Sequence, residues 1–137
     1  MTPTLEQLIA HRPPFRFVDR VDACGDDRGS FLLTLATDDP RLQDGVLPPL
    51  LVLEGLLQAT AAYSGLQGAR QPESGMVVQL DNVVLVAAAH AGDTVHLTVS
   101  RTHALGPLVR FHAAARVGDR LLVEGELSVA RSPRAAQ

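Results

Sequence analysis

The sequence predicts an α+β domain in which one long apolar helix packs on a curved antiparallel sheet of about six strands. Two observations carry this. The stretch Pro48-Pro49-Leu50-Leu51-Val52-Leu53-Glu54-Gly55-Leu56-Leu57-Gln58-Ala59-Thr60-Ala61-Ala62 holds a single carboxylate, Glu54, among apolar side chains on every helical face, and a helix that is apolar all round belongs in an interior. From Met76 onward the pattern changes to two-residue alternation broken by Gly-containing turns, the signature of consecutive strands. A third, weaker constraint is size: 137 residues suit one core.

Taken in order, Thr4-Leu5-Glu6-Gln7 has capping-box form and starts a short helix through Ala10, stopped by Pro13-Pro14. Phe15 to Cys24 reads as a strand, Gly25 to Gly29 as a turn, Ser30 to Ala36 as a second strand. Thr37 to Pro48 lacks a period and reads as a loop. The long helix opens at Pro48-Pro49, residues suited to a first turn, and ends near Gly65 or Gly68. Gln71 to Gly75 is a loop. Four strands follow, over Met76–Ala87, Thr94–Thr102, Leu108–Val117 and Arg120–Ala130, with Gly118-Asp119 a tight hairpin signal. Residues 1–131 form one domain and 132–137 a short tail. The small residues Gly55, Ala59 and Ala62 would let the helix approach the sheet, and its far side needs a cover, either the curling sheet or a second subunit.

Composition narrows the function. Hydrophobic residues make up 46% and charged residues 20% of the chain, with a net charge of −3 and aromatics at 4%. Nucleic-acid binding calls for basic charge and stacking aromatics, and both are lacking. The lone Cys24 cannot form an internal disulfide, and no Cys/His pair has zinc-ligand spacing, so no metal and no cofactor are expected. The N-terminus has no signal-peptide pattern, and the longest apolar run is short for a membrane span. A soluble cytoplasmic protein is the expectation.

The strands and motifs resemble a specific family. Leu8-Ile9-Ala10-His11-Arg12-Pro13-Pro14-Phe15-Arg16-Phe17-Val18-Asp19-Arg20-Val21 is similar to the opening of hotdog-fold 3-hydroxyacyl-ACP dehydratases of the FabZ/FabA type. Glu54-Gly55-Leu56-Leu57-Gln58-Ala59 resembles their central-helix signature Glu-Ala-x-Ala-Gln-Ala. Gln79-Leu80-Asp81-Asn82 and Ala91-Gly92-Asp93 match a strand start and a Pro-Gly-Asp turn of the family. The resemblance implies a sheet wrapped around one central helix, action on acyl thioesters of acyl carrier protein or CoA, and a dimer whose sites take a His and a helix carboxylate from different subunits.

Two family features are missing. The dehydratases carry a Gly-His-Phe-Pro motif whose catalytic His precedes the helix Glu; the corresponding position, 40, is proline, and no histidine occurs from Arg12 to Ala89. They also start the helix with Pro-Gly, whose Gly N–H polarises the thioester carbonyl; here the step is Pro48-Pro49, and proline has no N–H. The pattern of Asp44-Gly45-Val46, Pro48 and Gln58 to Gly65 is more similar to dehydratase-like subunits of aryl-polyene and related polyketide clusters. These lack the usual motif and are associated with a second, His-bearing hotdog protein.

Glu54 and Gln58 stand four residues apart and share a helix face. The functional reading is an acid/base carboxylate oriented by the Gln58 amide; the structural one is a hydrogen-bonded pair inherited from an active ancestor. Pro49 and Leu50 mark the substrate-binding helix start, with the Leu50 N–H able to replace the lost donor. Asp39, in the loop that replaces the His segment, is a candidate base, although Asp38-Asp39 before a proline is also a common turn former. His11 corresponds to a non-catalytic family position. His90, His96, His103 and His112 read as turn or strand residues, with His96 facing away from Val95 and Leu97. Tyr63 reads as core, and Cys24 has no activating partner. Arg12, Arg16, Arg20, Arg41, Arg70 and Arg110 are either a basic patch for an acidic carrier or a dispersed surface.

Three functions compete. The first is a dehydratase-like subunit, weak or inactive alone, working with a His-bearing paralogue. The second is a stand-alone acyl-CoA or acyl-ACP thioesterase using Glu54. The third is an acyl-binding or scaffolding subunit without chemistry.

Overall fold

The computed structural model describes residues 4–9, 12–67 and 74–132. Helix α1 spans Leu5–Leu8, with the Gln7 side chain accepting the Thr4 N–H at 2.9 Å. Strands β1 (Arg20–Cys24) and β2 (Arg28–Thr34) follow, then a two-residue strand β3 (Val46–Leu47) and the long helix α2 (Pro49–Gln67). The remainder is β4 (Ser74–Leu85), β5 (Ala89–His90), β6 (Thr94–Leu105), β7 (Leu108–Val117) and β8 (Arg120–Ser132). β8 thus runs through Ser132, one residue past the expected domain end, and 133–137 lie outside the described residues.

Six strands form one antiparallel sheet in the order β1-β2-β6-β7-β8-β4. The β6–β7 and β7–β8 connections are tight hairpins turning at Gly106 and Gly118, both at positive φ. β3 and β5 pair separately, Val46 with His90 and Leu47 with Ala89. β3 falls within the loop expected from Thr37 to Pro48 and β5 in the turn region after Ala87, because two residues are too few to show a period.

Alternation in β6 buries Val95, Leu97 and Val99 and turns His96 outward, as the sequence pattern predicts. These residues, with Phe31, Leu33, Phe111 and Leu127, form the inner sheet face, on which α2 lays Val52, Leu56, Ala59 and Tyr63. The Tyr63 ring meets Phe111 edge-on at 6.0 Å, and its hydroxyl donates to the Asp26 carbonyl at 2.7 Å, so it is a core residue that also pins the β1–β2 turn. No helix among the described residues is long and apolar enough to cross a membrane.

The strand expected from Phe15 begins only at Arg20. Residues 15–17 spend their backbone groups elsewhere: Gln58 takes the Phe15 carbonyl and Phe17 N–H, and Arg41 takes the Arg16 carbonyl. The first ladder-like bond comes from Asp19, whose N–H donates to the Leu32 carbonyl at 2.8 Å. This segment lies against α2. Gly55, expected to face the sheet, faces the Phe15–Phe17 segment instead: a Cβ there would sit 2.6 Å from the Phe17 carbonyl oxygen. Sheet and segment cover most of the helix and leave a strip open, in which Leu50 and Ala61 are exposed and Glu54 and Leu57 half-buried. These positions recur at three- and four-residue spacing and share one helix face.

Candidate functional site

Glu54 projects from the middle of that strip. Its neighbour one turn on, Gln58, is 1% exposed and holds three hydrogen bonds. Gln58 Oε1 accepts the Phe17 N–H at 2.7 Å, and Nε2 donates to the Phe15 carbonyl at 2.9 Å and to Glu54 Oε1 at 3.2 Å. The Phe17 donor fixes which end of the amide faces where. Glu54 is therefore met by an N–H, and Gln58 is bound from three sides and has no freedom to act as a proton carrier.

The start of α2 lies one turn before Glu54. The Pro48 carbonyl accepts the N–H groups of Leu51 and Val52 at 3.0 and 3.2 Å, and Pro49 has none to give. Among the described residues the Leu50 N–H has no hydrogen-bond acceptor, and the residue is 64% exposed. Leu50 shares Glu54's face, and four residues separate their backbones by about 6 Å along the axis. An orphan N–H at a helix start and a carboxylate one turn later can engage neighbouring atoms of one ligand, a carbonyl oxygen and a proton-exchanging group.

Asp39 lies elsewhere, in a salt-bridge network. Arg41 Nε and Nη2 clasp its two oxygens at 2.9 and 2.8 Å, and the same guanidinium bonds Asp19 at 3.0 Å and the Thr34 carbonyl at 3.1 Å. Asp39 and Arg41 side chains are 9% and 10% exposed. The Arg41 hydrogen bond holds the Asp39 carboxyl below its ordinary value of 3.8, which makes it a weak proton acceptor. A carboxylate with a lowered folded-state pKa stabilises the fold above its unfolded pKa, and that contribution disappears as pH falls through the folded value. Asp39→Asn is therefore expected to cost about 2 kcal/mol at pH 7, with the two proteins converging in urea titrations carried below pH 3.8.

The four described histidines lie on strands. His90 stands near Asp93, His112 contacts Glu124 at 3.0 Å, and His96 and His103 are exposed; His11 is outside the described residues. Of the described arginines, Arg12 and Arg16 meet at Glu6, Arg12 donating to its carbonyl and Arg16 to its carboxylate. Arg41 is enclosed as above, Arg110 pairs with Glu126 and Asp81 on β8 and β4, and Arg70 is outside the described residues. Sequence reasoning missed Asp19 and Arg41 as partners of this region, since nothing in their spacing links position 41 to position 16.

A sequence profile of ApeP-like proteins, described as ApeP dehydratase, matches residues 3–137. The chain belongs to the ApeP-like dehydratase family. It is 28% identical over 132 residues to the 3-hydroxyacyl-[acyl-carrier-protein] dehydratase FabZ of Macrococcus caseolyticus, covering 92% of this chain and 91% of that one. The dehydratase heterocomplex ApeI:P from Xenorhabdus doucetiae has a similar fold at TM-score 0.81 and 20% identity, covering 98% of this chain and 94% of that one. A thioesterase of Pseudomonas aeruginosa shares the fold at TM-score 0.73 and 15% identity, covering 97% and 96%. The ApeP-like chain is thus a hotdog protein, its six-stranded sheet packed on α2.

Proposed function

We propose that this ApeP-like chain supplies the helix carboxylate of a 3-hydroxyacyl-thioester dehydratase whose base is a histidine of a partner hotdog subunit. The observation that carries the reading is Glu54 itself: oriented by Gln58 on the open strip of α2, with prolines at positions 40 and 49 where the FabZ/FabA-type pattern has a His and a Gly. The fold relative described as a dehydratase heterocomplex supports pairing of two such chains. So does the surface, since β4 is a sheet edge that exposes Val78, Leu80, Val84 and Leu85, with Val86 just beyond. An apolar edge strand is a template for pairing.

In this mechanism the thioester carbonyl accepts the Leu50 N–H, which stabilises the enolate-like charge that develops there. The partner's imidazole takes a proton from the carbon beside the carbonyl. Glu54 gives a proton to the departing 3-hydroxyl, so the C–O bond breaks, water leaves and the 2,3 double bond forms. Gln58 holds the carboxyl toward the reacting carbon. The acyl group rides on an acyl carrier protein or CoA, and the reaction takes place in the cytoplasm.

The purified homomer is expected to dehydrate 3-hydroxyacyl thioesters weakly or not at all, with a His-bearing paralogue raising turnover by about 100-fold or more. Robust, Glu54-dependent turnover by the homomer would remove the partner from the proposal. The thioesterase reading draws on the same Glu54 and Leu50 N–H; it requires thiol release from the acyl thioester, which the dehydratase reading does not.

A further inference from the structure

We propose that Arg41 is a positioning residue for Glu54, acting through a single peptide group and the Gln58 amide. The inference rests on the dehydratase reading only for its kinetic consequence. Arg41 Nη1 donates to the Arg16 carbonyl at 2.9 Å. That carbonyl and the Phe17 N–H belong to one planar peptide unit, and in a trans unit they point to opposite sides of the chain. The Phe17 N–H donates to Gln58 Oε1 at 2.7 Å, and Gln58 Nε2 donates to Glu54 Oε1 at 3.2 Å. A continuous series of donors and acceptors therefore runs from a guanidinium to a carboxylate, each link polarising the next in the same sense.

The series has a directional consequence. If the Arg16–Phe17 peptide turned over, a carbonyl would face Gln58. The amide would rotate to offer its N–H, and its oxygen would then confront the Phe15 carbonyl and the Glu54 carboxylate, acceptor against acceptor. Arg41 opposes this by holding the carbonyl side, and it is itself immobilised by Asp39 and Asp19. The loop that in relatives carries the catalytic His carries here the brace that sets the orientation of the remaining carboxylate.

The test uses the purified full chain. The Gln58 side-chain NH2 signals are assigned in a 15N–1H correlation spectrum by their loss in Gln58→Leu. In Arg41→Met these signals are expected to move toward the values of a solvated amide and to lose protection from hydrogen exchange. A core variant distant from the series, Val129→Ala, lowers Tm but leaves them in place. Arg41→Lys, which keeps the charge without the fork, serves in the same way if Arg41→Met does not fold. With a His-bearing partner and a 3-hydroxyacyl thioester, kcat is expected to fall about tenfold with little change in KM. Unchanged Gln58 signals in a folded Arg41 variant would overturn the proposal, whatever the kinetics. If the wild-type complex turns nothing over, the dehydratase reading fails, and the Gln58 signals still decide the role of Arg41.

Discussion

Glu54→Gln is expected to reduce dehydration by the complex with a His-bearing partner by about 10²–10⁴-fold in kcat, with KM nearly unchanged. The substitution is close to isosteric and keeps an acceptor for the Gln58 N–H. Under the proposed mechanism, loss of rate then reports loss of a proton delivered by Glu54 to the leaving hydroxyl, not loss of packing, and Tm should move little because the side chain is only half-buried. Formation of the 2-enoyl thioester, followed by its ultraviolet absorbance, gives the rate directly, and thiol release in the same cuvette separates hydrolysis from dehydration. Three outcomes divide the competing functions. Loss of enoyl formation supports the acid role; loss of thiol release would identify a hydrolase; no loss of either product, or no product at all with assembly intact, would leave Glu54 a structural residue and the chain a binding or scaffolding subunit.

Much of this site was legible in the sequence because local rules govern it. A lone carboxylate in an apolar helix, with an amide four residues on, specifies a shared face whatever the surroundings, and the structure joins Glu54 and Gln58 at 3.2 Å. Alternation in β6 and the glycines at 106 and 118 likewise fix strands and turns over short ranges. What stayed hidden depends on contacts between distant segments. Residues 15–17 look like the start of a strand by composition, yet Gln58 and Arg41, 41 and 25 residues away, take the backbone groups a ladder would need. Asp39 looked like a stand-in base because it falls in the loop that replaces the His segment. Its short-range bond to Arg41 turns it into an anchor, and Arg41's reach to Asp19 and Arg16 has no counterpart in any spacing rule.

Gly55→Ala sets local and tertiary rules directly against each other. Alanine is the residue of the FabZ/FabA-type helix signature and favours helix by about 1 kcal/mol. In this fold its methyl carbon would lie 2.6 Å from the Phe17 carbonyl oxygen and 3.4 Å from the Phe17 Cβ. The near atom is backbone, so relief requires either the Phe15–Phe17 segment or the helix to move. A shift of that segment stretches both bonds it makes with Gln58, now 2.7 and 2.9 Å, and leaves buried polar groups poorly paired. Overpacking of this kind costs about 1–3 kcal/mol and an unsatisfied buried group a similar amount. The expected net effect is destabilisation by about 1–5 kcal/mol in urea unfolding after the propensity gain is subtracted. Activity should fall further than stability, because a displacement near 1 Å at the segment that orients Gln58 misplaces Glu54 and can cost about 10²-fold in rate. A stabilised Gly55→Ala protein with full activity would mean that helix and segment stand farther apart than this close approach requires, and the orientation assigned to Glu54 would lose its support.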